Sequence, residues 1–280
     1  MNISMQKSLY RGVALAALLI TPLTAIALPE TLSETQRDNA IVSDNLSIPT
    51  PGELFAAIDK VATPNWPGML GKRVPRTYSN RAQLALNIGT YVADGFIAIE
   101  AEDAQQVKNI GRDIITLAKA LGVSENILSR GDSISDFAEH NDWNGLDEEL
   151  EATQNEIKLA LARQKDTNLI ILVSIGAWIR GAQAAADFMV RNYSEDLASL
   201  LRQPGVVNFL AAQAGRLPER FRGDSLVLQI KDGLVSVRDL VDVPPGEPLD
   251  QEQLEKLNTR LIGLLDLIAQ DPAKSERKDP

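Results

Sequence analysis

Apolar residues recur along most of this chain at intervals of three and four, the period of an amphipathic helix. One stretch departs from that pattern. Residues 169–179 are apolar on every side apart from Ser174 and Gly176. A helix without a polar face belongs inside a protein or inside a membrane. The run stops at Arg180, well short of the roughly 20 apolar residues that span a bilayer, so it reads as the buried centre of a water-soluble bundle. The central helix is expected over 166–193. Asp166 or Thr167 can cap its start, and Asn192 followed by Ser194 can close it and open the next helix. Ile170, Ser174, Ala177, Gly181, Ala184 and Phe188 form one stripe, whose small members would let a neighbouring backbone approach closely.

Around this centre the amphipathic pattern predicts a succession of helices. Thr50, Pro51 and Glu53 form a capping box with proline in the first turn, ahead of an apolar face of Leu54, Ile58 and Val61. Residues 80–102 carry a wide apolar face that includes Leu84, Ile88, Val92 and Phe96, and a second stripe that is small and polar: Asn87, Thr90, Asp94, Ala98 and Ala101. If both faces are covered, Asp94 is buried. Residues 103–121 follow almost without a loop, giving a helical hairpin closed by Gly122. A polar, glycine-interrupted helical stretch spans 124–143, and a charged amphipathic helix spans 146–165. Short helices are expected at 194–201 and 206–214. Two longer ones carry Leu226 to Val241 and the Leu254, Leu257, Leu261, Leu264, Ile268 seam, and they should pair as a closing hairpin. Only Leu226 to Ile230 comes near to reading as a strand. The fold class is therefore all-α: one compact bundle of eight to ten helices over residues 50–270, with a disordered tail at 271–280.

Two segments of this pattern resemble a family of exported all-helical proteins of Bacteroidetes-type bacteria. They are LALNIGTYVADGFIAIEAEDAQQVKNIGRDIITLAKALGV and the later SIGAWIRGAQAAADF. The family has Tyr-x-x-Asp on its first long helix, matched by Tyr91 and Asp94. It has Gly-Gly-Trp-hydrophobic-Glu-Gly on a later helix, matched by Gly176, Trp178 and Gly181, with Ala177 and Arg180 in place of the second Gly and the Glu. The resemblance implies an exported helical protein and brings no activity with it.

The N-terminus bears on location. Lys7 and Arg11 precede an apolar segment, residues 12–20, and Ala25-Ile26-Ala27 has the small-x-small form of a signal cleavage site. Residues 1–27 are expected to be a signal peptide, with retention as an anchor the alternative, and residues 28–49 a polar linker. Localisation would be periplasmic or secreted, with no membrane span after cleavage. The whole chain has a net charge of −10, and removing the signal's two cations lowers it to −12. That balance argues against nucleic acid as the main partner, since such binding needs a concentrated positive surface, while leaving room for a local basic patch. Without cysteine the chain has neither disulfides nor thiolate zinc ligands.

Candidate chemistry is sparse. Residues 63–79 form the longest irregular stretch between helices and combine Trp66, Arg73, Arg76 and Tyr78, which together suit a partner protein of the cell envelope or a small anionic ligand. A surface loop pinned by Trp66 and Leu70 is the plainer reading. Residues 140–151 align with a calcium loop through Asp142, Asn144, Gly145, Glu148 and Glu151, but His140 and Asp147 break the pattern, and a helix capped near Trp143 accounts for the same residues without metal. Arg216, Arg220 and Arg222 make a second basic cluster. Asp94 and Arg180 stand on helices that otherwise look buried, and either they pair, with Tyr91 as a further donor, or Arg180 reaches the surface. No nucleophile elbow, phosphate loop or cofactor motif is present in the sequence. The favoured expectation is an exported binding or interaction module without catalytic turnover. The alternative is an enzyme or small-ligand-binding protein with a core site near Asp94 and Tyr91. An open cavity reaching Asp94 would distinguish the alternative from a surface-only partner.

Overall fold

A computed structural model describes residues 48–71, 78–123 and 125–270. The signal, most of the linker, the tail, and Arg73 and Arg76 lie outside the described residues. Among the described residues the chain forms eleven α-helices. They are α1 (Pro51–Asp59), α2 (Arg81–Glu100), α3 (Ala104–Ala120), α4 (Glu125–Glu139), α5 (Trp143–Arg163), α6 (Thr167–Arg191), α7 (Glu195–Leu200), α8 (Pro204–Gly215), α9 (Glu219–Arg222), α10 (Ser225–Val241) and α11 (Gln251–Ile268). A 3-10 turn, Trp66–Met69, joins α1 to the segment before α2. Nine of the helices run for nine residues or more; α7 and α9 are short. Residues 226–230, the nearest approach to a strand pattern, lie inside α10.

The expected central helix is α6, which α1, α2, α5, α8 and α11 all contact, and α2 is its main partner. α2 and α6 cross with their backbones in contact, and the remaining helices pack outward from them. α3, α4 and α5 follow one another on one side, and α5 returns to both central helices. α8, α10 and α11 form the other side, with α11 laid along α6 and paired with α10. α1 packs on α6, α2 and α7. The crossing depends on two glycines. A Cβ on Gly89 would sit 2.0 Å from the Val173 carbonyl oxygen, and one on Gly176 would sit 2.0 Å from that of Leu86. The closest approach thus lies at Gly176, beside the expected small-residue stripe rather than on it. Gly181, which is on the stripe, admits Pro51 of α1. α2 and α6 are both long and apolar enough to cross a bilayer by length and composition, yet nearly all of each is buried inside the fold.

Helix ends show why the elements begin where they do. Thr50 and Glu53 exchange the two hydrogen bonds of a capping box at α1, and Asp250 and Gln253 do the same at α11. Asn80 caps α2 and Asp224 caps α10, and the two caps are joined to each other by a hydrogen bond from Asn80 Nδ2 to Asp224 Oδ2. Asp166 stands at the N-cap position of α6 but accepts no backbone hydrogen bond. Its carboxylate instead receives Arg81 at 2.6 Å and Arg220 at 3.1 Å, so an expected cap is a stitch between three segments.

Candidate functional site

The small polar stripe of α2 faces a cavity. Asn87, Thr90, Tyr91 and Asp94 line it from α2, Arg180, Gln183, Ala184 and Asp187 from α6, and Leu265, Asp266 and Ile268 from the end of α11. The 3-10 turn and the residues after it contribute Gly68, Met69, Leu70 and Gly71, and Tyr78 completes the wall. The volume is about 440 Å³, within the range of about 300–1,000 Å³ typical of small-molecule sites. A larger depression of about 880 Å³ lies between α10 and α11, but mostly exposed side chains line it.

The cavity is built on an ion pair. Arg180 Nε donates to Asp94 Oδ1 at 2.7 Å, and both residues are buried. Arg180 Nη1 donates to Gln183 Oε1 at 2.6 Å, and Nη2 donates to the Met69 carbonyl at 2.6 Å. Gln183 passes the chain on to Asn258 of α11 at 3.2 Å. Three of the five guanidinium N–H groups are thereby committed. A buried charge of this kind is tolerable because it is paired and hydrogen-bonded on several sides. The network also ties α2, α6, α11 and the 3-10 turn together. Among the described residues no donor other than Arg180 reaches the Asp94 carboxylate, so Tyr91 lines the cavity without serving that carboxylate.

A second polar arrangement holds the end of α11. Asn87 Nδ2 donates to the carbonyls of Gln83 and Ile268, and Gln83 Nε2 donates to those of Ile268 and Gln270. The last carbonyls of a helix have no partner within it, and here two side chains of α2 supply one. These bonds fix the orientation of the Asn87 amide. Among the described residues its Oδ1 has no donor, in a side chain that is only 3% exposed. Gln83 and Asn258 had no signal in the sequence pattern, because nothing local marks which amide will meet a helix end far along the chain.

The other expected site residues divide. Tyr78 is buried and lines the cavity. Trp66 turns toward the core: its ring lies 5.0 Å from that of Phe55, and its Nε1 donates to Asp59 Oδ1 at 3.1 Å. Arg73 and Arg76 fall outside the described residues. In the second basic cluster, Arg220 pairs with Asp166 and Arg222 with Glu219. In the calcium-like stretch, Asp142 Oδ1 caps α5 by accepting from Gly145 N at 2.9 Å, and His140 Nδ1 bonds the Asp136 carbonyl. Among the described residues no cluster of three or more acidic or histidine side chains is arranged to hold a metal ion.

An acidic crevice lies apart from the cavity, where α1, α2 and α5 meet. Burial and a hydrogen bond with Asp59 push the Glu100 carboxyl from 4.5 up to about 7, helped by the charges of Asp59 and Asp147. Burial also raises Asp147, together with the charge of Glu148, and raises Glu151, together with that of Asp147. Lys158 on α5 is lowered to about 8 by burial, against the opposing pull of Glu151.

No family model, curated protein or solved structure matches this chain.

Proposed function

We propose that the chain is a small-ligand-binding protein whose site is the cavity between α2, α6 and α11, with the Asp94–Arg180 pair in its wall. The observation that carries this reading is an open cavity reaching a buried, hydrogen-bonded ion pair. Pockets with convergent polar groups on rigid elements are where proteins hold small molecules. Catalysis is not part of the proposal, because the Asp94 carboxylate, the candidate base of an enzymatic reading, is already engaged by Arg180. The proposal includes location: the protein acts in the periplasm or outside the cell after loss of residues 1–27, in keeping with the likeness to exported helical proteins. The test is native mass spectrometry of protein purified from the envelope of its own host, followed by denaturing release. A stoichiometric small molecule supports the reading. Ligand-free protein that crosslinks instead to a protein partner overturns it.

A further inference from the structure

Building on that ligand-binding reading, we infer that the cavity takes a small organic cation, a ligand bearing a primary ammonium or guanidinium group. Three features point the same way. The first is unpartnered acceptors. Among the described residues Asn87 Oδ1, at 3% exposure, has no donor, and the second oxygen of Asp94 has no partner. A buried acceptor is normally satisfied, and a ligand N–H is what these two lack. The second is the helix end. α11, 18 residues long, terminates in the wall of the cavity, where Leu265, Asp266 and Ile268 lie. The C-terminal end of a helix carries the negative end of its dipole and favours cations. The third is charge. Of the acids in the described lining, Asp94 is paired with Arg180 and Asp187 with Arg191, while Asp266 is exposed and has no ion pair with a described residue, which leaves one uncompensated negative charge at the rim.

These features fit a ligand of one orientation. The cationic group sits against Asn87, Asp94 and the end of α11, and an aliphatic portion lies on Met69, Leu265 and Ile268. Tyr91 lines the cavity beside them. This differs from the anionic ligand that the basic residues of 72–77 suggest when the sequence is read alone.

Isothermal titration calorimetry of the exported form, freed of bound material by denaturation and refolding, tests it. The cationic probes are 1,4-diaminobutane, spermidine and L-arginine; the anionic probes are phosphate and citrate; the neutral probe is glucose. Refolding is verified by circular dichroism against protein that was never unfolded. The expected result is saturable binding of at least one cation and none of the anions. Asp266→Lys, a change on an exposed rim residue, should weaken that cation by about tenfold, the scale at which a nearby charge acts, without lowering the unfolding midpoint, since a cation suits the last turn of α11. Binding of an anion or of glucose alone overturns the cation inference and leaves the cavity reading intact. No binding by any probe, in a protein that also yields no small molecule when purified from its host, overturns both. Cation binding that is indifferent to Asp266→Lys and is also lost on raising salt to 0.5 M is surface association, and it overturns the inference as well.

Discussion

Glycine and charge decide this core at single positions. Gly89 and Gly176 face carbonyl oxygens across the central crossing, so an added methyl group must push two helices apart. Replacing a helical glycine by alanine ordinarily gains up to about 1 kcal/mol. At Gly89 or Gly176 the overpacking term wins, and each alanine variant should lose about 1–3 kcal/mol or more. Gly263 on the outer face of α11 has open space around its missing Cβ, and Gly263→Ala should gain about 0.5–1 kcal/mol. Urea midpoints of the three variants separate the effects, and equal shifts at Gly176 and Gly263 would contradict the crossing geometry.

The Asp94–Arg180 pair makes a second prediction at this scale. Removing one partner leaves the other charge buried, a loss of roughly 3–5 kcal/mol, whereas removing both should cost less than the sum. Arg180→Met also strands the Met69 carbonyl and Gln183, so it should be the more damaging single change. A double-mutant cycle with Asp94→Ala reads the coupling, and strict additivity would show that the contact carries no energy. Sequence alone could nominate these two residues, since a charge in an apolar run is visible in one dimension. It left open whether Arg180 turned inward, because that depends on Met69 and Gln183 lying on its path. Asn87 was legible only as one member of a polar stripe, and its anchoring of α11 was not.

At the level of elements, α1 and the 3-10 turn are held partly by acids. Trp66 bonds Asp59, Asp59 bonds Glu100 at the end of α2, and Asp147 and Glu151 of α5 face the same crevice, with Glu53 of α1 near Glu151 and Lys158 as the cation beside it. Glu100 titrates near 7 in the folded protein against 4.5 for a freely solvated glutamate, so the folded form binds the extra proton between those values. Stability should therefore fall as pH rises from about 4.5 to 7 and then level off. The raised Asp147 and Glu151 act in the same direction, while the lowered Lys158 changes stability only above about 8 and in the opposite sense. Solvent reaches this crevice, which reduces the effect to the order of 1 kcal/mol. The urea midpoint should be lower at pH 7.5 than at pH 5.5, and Glu100→Gln should shrink the difference. An unchanged difference in that variant would show that other groups govern the profile. None of this is legible in the sequence. The helices themselves are, because their capping residues and apolar periods are local, but which helix ends converge is set by packing across the chain.

For the whole molecule, the all-helical class and the central helix followed from period and composition, and the structure adds the close crossing of α2 on that helix and a cavity where the two meet α11. The pattern of α2 allowed both of its faces to be covered, but nothing local said that its polar stripe would line a cavity. Location makes the last prediction. Ala25 and Ala27 supply the small side chains that signal cleavage requires, and Lys7 and Arg11 supply the positive start. The exported protein should therefore begin at Leu28. The first described structural element opens at Thr50, which caps α1, so cleavage there removes none of the described contacts. Cleaved protein should have the same unfolding midpoint as a cytoplasmically expressed form starting at Leu28. N-terminal sequencing of protein from the host's periplasm decides the point. Retained Met1 with the protein in the membrane fraction would overturn cleavage and free release together, and would place the cavity on a tethered protein.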